Sequence, residues 1–247
     1  MPRLCAALFL FGLLLPLGAA GAQESEVSRP STRNVLAISW QPAFCEGQSR
    51  KPECRSQTAD RADGRRFSLH GLWPQPRSRE YCGPAAPLKE QTKTGGWKSL
   101  PEPQLSAATK ARLDDAMPGT QSLLERHEWA RHGTCFGLDA EGYFGRAIAL
   151  LDAVNGSAVA ELFAARIGQN LSTEEIRAAF DKAFGPGAGE RVRVSCRDDG
   201  SRRLIDELTI GLSGEIAERP DIAALIAGSR PTKPGCPGGI VDPVGLQ

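Results

Sequence analysis

Nine consecutive residues carry most of the proton-transfer chemistry in this sequence: His127, Glu128, Trp129, Ala130, Arg131, His132, Gly133, Thr134 and Cys135. They contain two of the three histidines in the chain, together with a carboxylate, a guanidinium and a cysteine. The third histidine begins a second string, His70, Gly71, Leu72, Trp73 and Pro74. Imidazole is the side chain whose ordinary pKa lies nearest neutrality, so it exchanges protons under mild conditions. Three imidazoles, one acid and one cation form the inventory of a metal-free acid–base site for a phosphodiester. One imidazole takes a proton, another gives one, and positive charge steadies the phosphoryl oxygens.

A zinc-protease motif would read HExxH, with both histidines on one helical face. From His127 to His132 the spacing is one residue longer. That puts the two side chains roughly 140° apart on a regular helix, which rules out their chelating one zinc as an i, i+4 pair does. A lone histidine would read as structural. Three gathered into two short motifs argue for a site.

The two strings, HGLWP and HEWARHGTC, resemble the two active-site segments of the ribonuclease T₂ family of secreted, base-non-specific endoribonucleases. One position departs: family members usually carry Lys where this chain has Arg131. Ser39 to Cys45, SWQPAFC, is similar to the family's first strand and first half-cystine, and the cysteine order is similar too. The resemblance runs from about residue 34 to residue 242. It implies His132 as base, His70 as acid and His127 as a phosphate ligand. It implies that Glu128 and Arg131 help stabilise the pentacoordinate phosphorus. Trp73 resembles the residue that stacks on the 5′-side base; Gln75 stands where some members carry an acid. The implied reaction yields 2′,3′-cyclic phosphates and then 3′-phosphates, with little base specificity, no cofactor and no metal. Single-stranded RNA is the implied substrate and a monomer the implied state. The alternative reading is a binding or toxin module on the same scaffold with activity secondary; such a relative would be expected to lack a catalytic histidine, and this chain keeps all three.

Spacing adds detail on a helix. Glu128 and His132 are i, i+4 neighbours, so Glu128 is expected to hold the His132 imidazole and raise its pKa. His127 and Arg131 form a second such pair, both able to face a phosphate. Arginine can fork two donors onto non-bridging oxygens, which lysine cannot.

Residues 1–22 read as a targeting segment. Arg3 supplies a positive start, Leu4 to Leu17 an apolar run broken by Gly12 and Pro16, and Ala20-Gly21-Ala22 a small-residue cleavage site. Cys5 would leave with it. The remaining domain, residues 23–247, is then exported, secreted or periplasmic, with no membrane attachment after removal of the leader. Its six cysteines are an even set, as disulfides in an exported chain require, and sequence alone leaves fifteen connectivities open. The resemblance implies Cys45–Cys54, Cys82–Cys135 and Cys196–Cys236. The middle bridge would clamp the two active-site strings together and stabilise by about 4 kcal/mol on the chain-entropy model. With Arg3 gone, basic and acidic residues are equal in number, so global charge does not draw nucleic acid and any RNA contact must be local to a groove. Asn155-Gly156-Ser157 and Asn170-Leu171-Ser172 match glycosylation sequons.

The elements that must hold these groups are legible from periodicity. Strands are predicted over 34–40, 66–70, 191–197 and 204–213, with a short return at Ile240-Val241. In the second, Phe67 and Leu69 face one way and His70 projects from the polar face at the strand's end, with Gly71 permitting a turn. Residues 46–64 and 75–104 read as loops, the latter flanking the site. Helices are predicted over 105–117, 121–132, 143–154, 157–168 and 172–184, the last opening on a Ser172/Glu175 capping box. Leu123, Leu124 and Trp129 are candidate core contacts of the second helix, and Trp40, Trp97 and Trp129 read as core or loop anchors. Strands at both ends around a helical middle predict a single α+β domain: one central antiparallel sheet packed with helices and stapled by disulfides.

Overall fold

The computed structural model describes residue 1, residues 30–93 and residues 96–247. The predicted targeting segment lies outside the described residues. Strand β1 (Asn34–Ser39) leads into helix α1 (Gln41–Gly47), short α2 (Pro52–Arg55) and strand β2 (Ser68–Pro74). Helices α3 (Lys89–Lys93), α4 (Ala107–Ala116), α5 (Leu124–Arg131), α6 (Ala140–Asn155) and α7 (Ala158–Ala165) follow. The chain ends with β3 (Asn170–Ser172), α8 (Thr173–Phe184), β4 (Val192–Asp199), β5 (Arg202–Leu212), α9 (Ile222–Ala227) and β6 (Gly238–Ile240). This is the α+β architecture that the pattern predicts. β3, α9 and the short helices inside the two predicted loops are additions to it.

The strands form one sheet in the order β2-β1-β5-β6-β3, with β4 on the other edge of β5. All pairs are antiparallel except β5 with β6, which run parallel. β5 reaches three partners because it is long. Its 207–212 half pairs β1, its opposite edge pairs β4, and Leu204 meets Ile240 of β6.

Alternation gives the sheet two different faces. Leu36, Ile38, Leu69, Leu72, Val192, Val194, Leu208, Ile210 and Leu212 are buried in the core under α6, α7 and α8. Trp40, Phe67 and Phe163 meet there with ring centroids 4.6 to 5.6 Å apart. The opposite face carries Val35, Trp73, Glu207, Thr209, Arg193 and Ser195, which line a cavity instead.

The helices start where polar caps allow. Asp139 accepts from the Gly142 amide at the head of α6. The Ser172/Glu175 capping box forms as predicted. α5 is shorter than predicted. It starts only after a tight turn over Pro118–Ser122 and ends at Arg131. Its buried members are Glu125, Glu128 and Ala130, whereas Leu123, Leu124 and Trp129 are only partly covered. Two buried carboxylates on one short helix indicate a surface arranged for charge.

All three implied disulfides are formed: Cys45–Cys54, Cys82–Cys135 and Cys196–Cys236. Asn155 is committed to the fold, accepting from the Phe67 amide at 3.0 Å and donating to the Phe67 carbonyl at 2.9 Å.

Candidate active site

His70 is not at a strand end. Ala37 pairs with Gly71 and Ile38 with Leu69, so His70 is the extra residue of a β-bulge in the middle of β2. A bulge breaks the two-residue alternation and re-aims a side chain. Leu69 and Leu72 therefore both reach the core, while His70, Gly71 and Trp73 turn to the other face. The core side of this turn is fixed by Tyr143, whose hydroxyl donates to the Leu72 carbonyl at 2.8 Å and accepts from its amide.

Gly71 makes no turn; its role is to be small. A Cβ there would run into the Glu128 carboxylate and the Trp73 indole nitrogen. Because it is absent, α5 settles close above the sheet. His70, Trp73, His127, Glu128, Arg131 and His132 come together around one cavity of about 440 Å³. The sheet is its floor and the C-terminal half of α5 its wall.

His132 escapes the 140° separation of a regular helix because its backbone leaves helical dihedrals there: its amide still donates to the Glu128 carbonyl at 2.9 Å, but it caps α5 with φ −116° and ψ −48°. The chain then tightens through Gly133–Cys135, where Gly133 lies against the Trp129 ring. The Cys82–Cys135 bridge joins this turn to the segment after β2. Two hydrogen bonds reinforce it: the Tyr81 amide donates to the Arg131 carbonyl at 2.9 Å, and the Cys82 amide to the Thr134 hydroxyl at 3.2 Å.

The three imidazoles sit in different electrostatic surroundings. His70 Nδ1 is 2.5 Å from Glu207 Oε2. Burial pushes its pKa down, but the Glu207 hydrogen bond and the charges of Glu128, Glu207 and Asp206 outweigh this and raise it to about 9. His70 is thus a cation near neutral pH, with Nε2 left facing the cavity. His132 goes the other way. Burial, then the neighbouring Arg131 charge, then His127 lower it to about 3, so its ring is neutral. His127 is lowered to about 4 by burial, Arg131 and His70. It stacks on Trp97 with centroids 4.7 Å apart, and its buried Nδ1 has no partner among the described residues.

Glu128 does not hold His132, as the i, i+4 spacing suggests. Its Oε2 accepts from Trp73 Nε1 at 2.9 Å, and its Oε1 lies 3.9 Å from His70 Nε2. The early end of α5 swings His132 off the helix, and the gap over Gly71 draws the carboxylate down to the sheet. Burial pushes Glu128 up to about 7 against the pull of His70, Trp73 and Arg131. Arg131 Nε donates to Glu80 Oε2 at 2.9 Å, and Lys89 holds the other oxygen of Glu80. The terminal nitrogens of Arg131, which lines the cavity, have no hydrogen-bond partner among the described residues.

Trp73 is edge-on to His70 and tilted over His132, with centroids 5.2 and 5.6 Å away. Two participants were not legible in the sequence. Glu207 sits on the predicted strand 204–213, where neither its type nor its spacing singles it out. Trp97 reads as an anchor but packs on a site histidine. On the far side of His70 a neighbouring cavity of about 330 Å³ opens, lined by Phe44, Lys51, Trp97 and Arg197; it shares His70 and Glu207 with the first.

The chain is similar to known proteins along most of its length. The sequence model of the Ribonuclease T2 family matches residues 32–219. Over 230 residues the chain is 31 % identical to Ribonuclease I of Escherichia coli (strain K12), covering 84 % of this chain and 85 % of that protein. It is 26 % identical to Ribonuclease 1 of Arabidopsis thaliana, over 81 % of this chain and 83 % of that one. The crystal structure of Japanese pear S3-RNase has the same fold, with a TM-score of 0.53, 16 % identity, and 85 % of this chain and 98 % of that one covered. Since the matched span holds both histidine strings and the bulge and helix end that bring them together, the chain belongs to the ribonuclease T2 family and is a T2-type endoribonuclease.

Proposed function

We propose that the chain cleaves single-stranded RNA by acid–base transphosphorylation without a metal or cofactor. His132, neutral, takes the proton of the ribose 2′-hydroxyl. The 2′-oxygen attacks phosphorus in line, and the 5′-oxygen leaves with the proton of His70. The product is a 2′,3′-cyclic phosphate, which water opens to a 3′-phosphate with the two roles reversed. His127 and Arg131 face the phosphoryl oxygens. A bound phosphate adds negative charge beside His127 and favours its protonated form. Glu128, held by Trp73, lies beside His70 and balances the cationic cluster.

The observation that carries this reading is the unlike pairing of two imidazoles in one cavity. His70 is hydrogen-bonded to a carboxylate through Nδ1, at 2.5 Å, whereas the charge that acts most strongly on His132 is the Arg131 cation. One is prepared to give a proton, the other to take it.

The nucleosides on either side of the scissile phosphate would occupy the two cavities that meet at His70. Trp73 supports 5′-side base stacking, and stacking accepts any base, in keeping with weak specificity. Export after removal of residues 1–22 is part of the same proposal. Three disulfides suit an oxidising compartment outside the cytoplasm, and a single chain holds the whole site, so a monomer suffices.

The test is cleavage of RNA in EDTA with analysis of product ends. Activity should survive, and the ends should be 2′,3′-cyclic or 3′-phosphates; loss on chelation, restored by a divalent ion, would overturn the reading. A substrate with a good 5′ leaving group separates the two histidines. On it His70→Ala should recover much of its rate and His132→Ala should not, each having lost roughly 100- to 10,000-fold on RNA.

A further inference from the structure

The chain as a whole has almost no net charge, 30 basic against 29 acidic side chains. Many of its arginines are tied to carboxylates, among them Arg61, Arg126, Arg131, Arg197 and Arg202. Four near the catalytic cavity are not. Arg77 and Arg193 line that cavity, and Arg33 and Arg79 line a third cavity of about 360 Å³. All four are exposed, and none has a side-chain partner among the described residues. Unpaired cations occur elsewhere on the surface, Arg50 and Lys233 for example. These four are set apart because they line two neighbouring cavities that share Pro74 and Gln75 as a common wall.

The backbone fixes this junction. The Gln75 amide donates to the Arg33 carbonyl at 2.8 Å, and the Arg79 amide to the Pro76 carbonyl at 2.7 Å. Arg33, just before β1, and Arg79, in the turn that follows β2, are therefore held beside the Pro74–Gln75 segment that lines both cavities. In the third cavity Phe136 and the exposed Leu138 make an apolar wall, and Glu215 is the one carboxylate in the lining among the described residues. An exposed guanidinium with no internal partner is matched to a phosphate oxygen pair. A positively lined groove with an apolar wall fits a single-stranded nucleic acid, phosphates on one side and a base on the other.

We infer that the RNA strand continues out of the catalytic cavity past Pro74 and Gln75, and that Arg33 and Arg79 bind its next phosphates, so that the protein prefers a polymer over a dinucleotide. This rests on the RNA-cleavage reading above and adds a substrate class to it: chains long enough to fill the third cavity.

The experiment compares kcat/KM on a dinucleoside monophosphate with kcat/KM on an oligoribonucleotide of about ten nucleotides. For R33A/R79A the oligomer-to-dinucleotide ratio should fall at least about tenfold. The log–log salt dependence of oligomer cleavage should become shallower by about 0.7 for each phosphate that is no longer neutralised. R33K/R79K should keep most of the salt dependence, and Arg50→Ala, outside all three cavities, should change neither quantity. An unchanged ratio and slope would overturn the track, and so would an equal fall on both substrates. If the wild-type protein cleaved neither substrate, the ribonuclease mechanism itself would fall, a result distinct from loss of the length preference.

Discussion

Glu207→Gln keeps a hydrogen-bond acceptor beside His70 Nδ1 and removes the charge. With that charge gone, burial pulls the His70 pKa down from about 9, opposed by Glu128, Asp206 and the weaker hydrogen bond to a neutral amide. His70 acts in its protonated form, so activity is lost as pH rises through its pKa. The alkaline limb of kcat/KM should therefore move to lower pH by roughly one to three units. A limb that stayed in place would mean that Glu207 does not set the proton. In the wild type the limbs at about 3 from His132 and about 9 from His70 enclose an optimum on the acid side of neutral. Gly71→Ala tests the contact on the other side of the ring. Its methyl group displaces Glu128 and Trp73, and a misplacement of this kind costs about 100-fold in rate, with the circular dichroism spectrum preserved. The six motif residues were legible because their types and grouping have few other uses. Glu207 was not, because an acid at an alternating strand position is normally solvated, and only the bulge that turns His70 toward it gives it a role.

Helix α5 and the bulge in β2 are two irregular elements that make one cavity. Neither irregularity is written in periodicity. Alternation through Phe67, Ser68, Leu69 and His70 is compatible with a straight strand, and a helical reading of 121–132 gives no reason to stop at Arg131. What stops it is tertiary: the turn at Gly133 packs on Trp129, and Cys135 is bonded to Cys82. The same cause moves Glu128 away from the partner that i, i+4 spacing assigns it. If the Cys82–Cys135 bridge registers the helix end, C82A/C135A should lose more than stability. Urea denaturation should show a loss of about 4 kcal/mol from loop closure, against about 3 kcal/mol for C45A/C54A, whose loop is shorter. Only the first variant should also lose kcat/KM at low temperature, where both remain folded. Equal activity in the two variants would reduce the bridge to a staple.

The molecule divides its labour between the two faces of one sheet. On one face, helices α6, α7 and α8 cover a continuous apolar layer, and most of the folding free energy resides there. On the other face the sheet is the floor of the catalytic cavity, with Glu207, Thr209, Arg193 and Trp73 turned toward solvent. This arrangement separates stability from catalysis by the thickness of a strand, and the prediction that follows concerns Phe163. It is fully buried on α7, packed against Phe67 and Trp40 with centroids 4.6 and 5.3 Å away. Phe163→Ala leaves a cavity in the core and should cost about 3 to 5 kcal/mol, measured by urea denaturation. A domain of this size has about 5 to 15 kcal/mol in total, so the variant should remain folded when cold. Measured at about 10 °C, its kcat/KM should stay within about twofold of the wild type, because Leu69 and Leu72 remain on the core side of β2 and hold the bulge in place. The contrast is Tyr143→Phe, which removes one hydroxyl and little volume. That hydroxyl bonds both the amide and the carbonyl of Leu72, directly beneath the site. It should cost only about 1 to 3 kcal/mol of stability through the unpaired Leu72 groups, yet reduce kcat/KM more than Phe163→Ala does. If Phe163→Ala were the less active of the two at a temperature where both are folded, the two faces of the sheet would not be the separate compartments that their side chains describe.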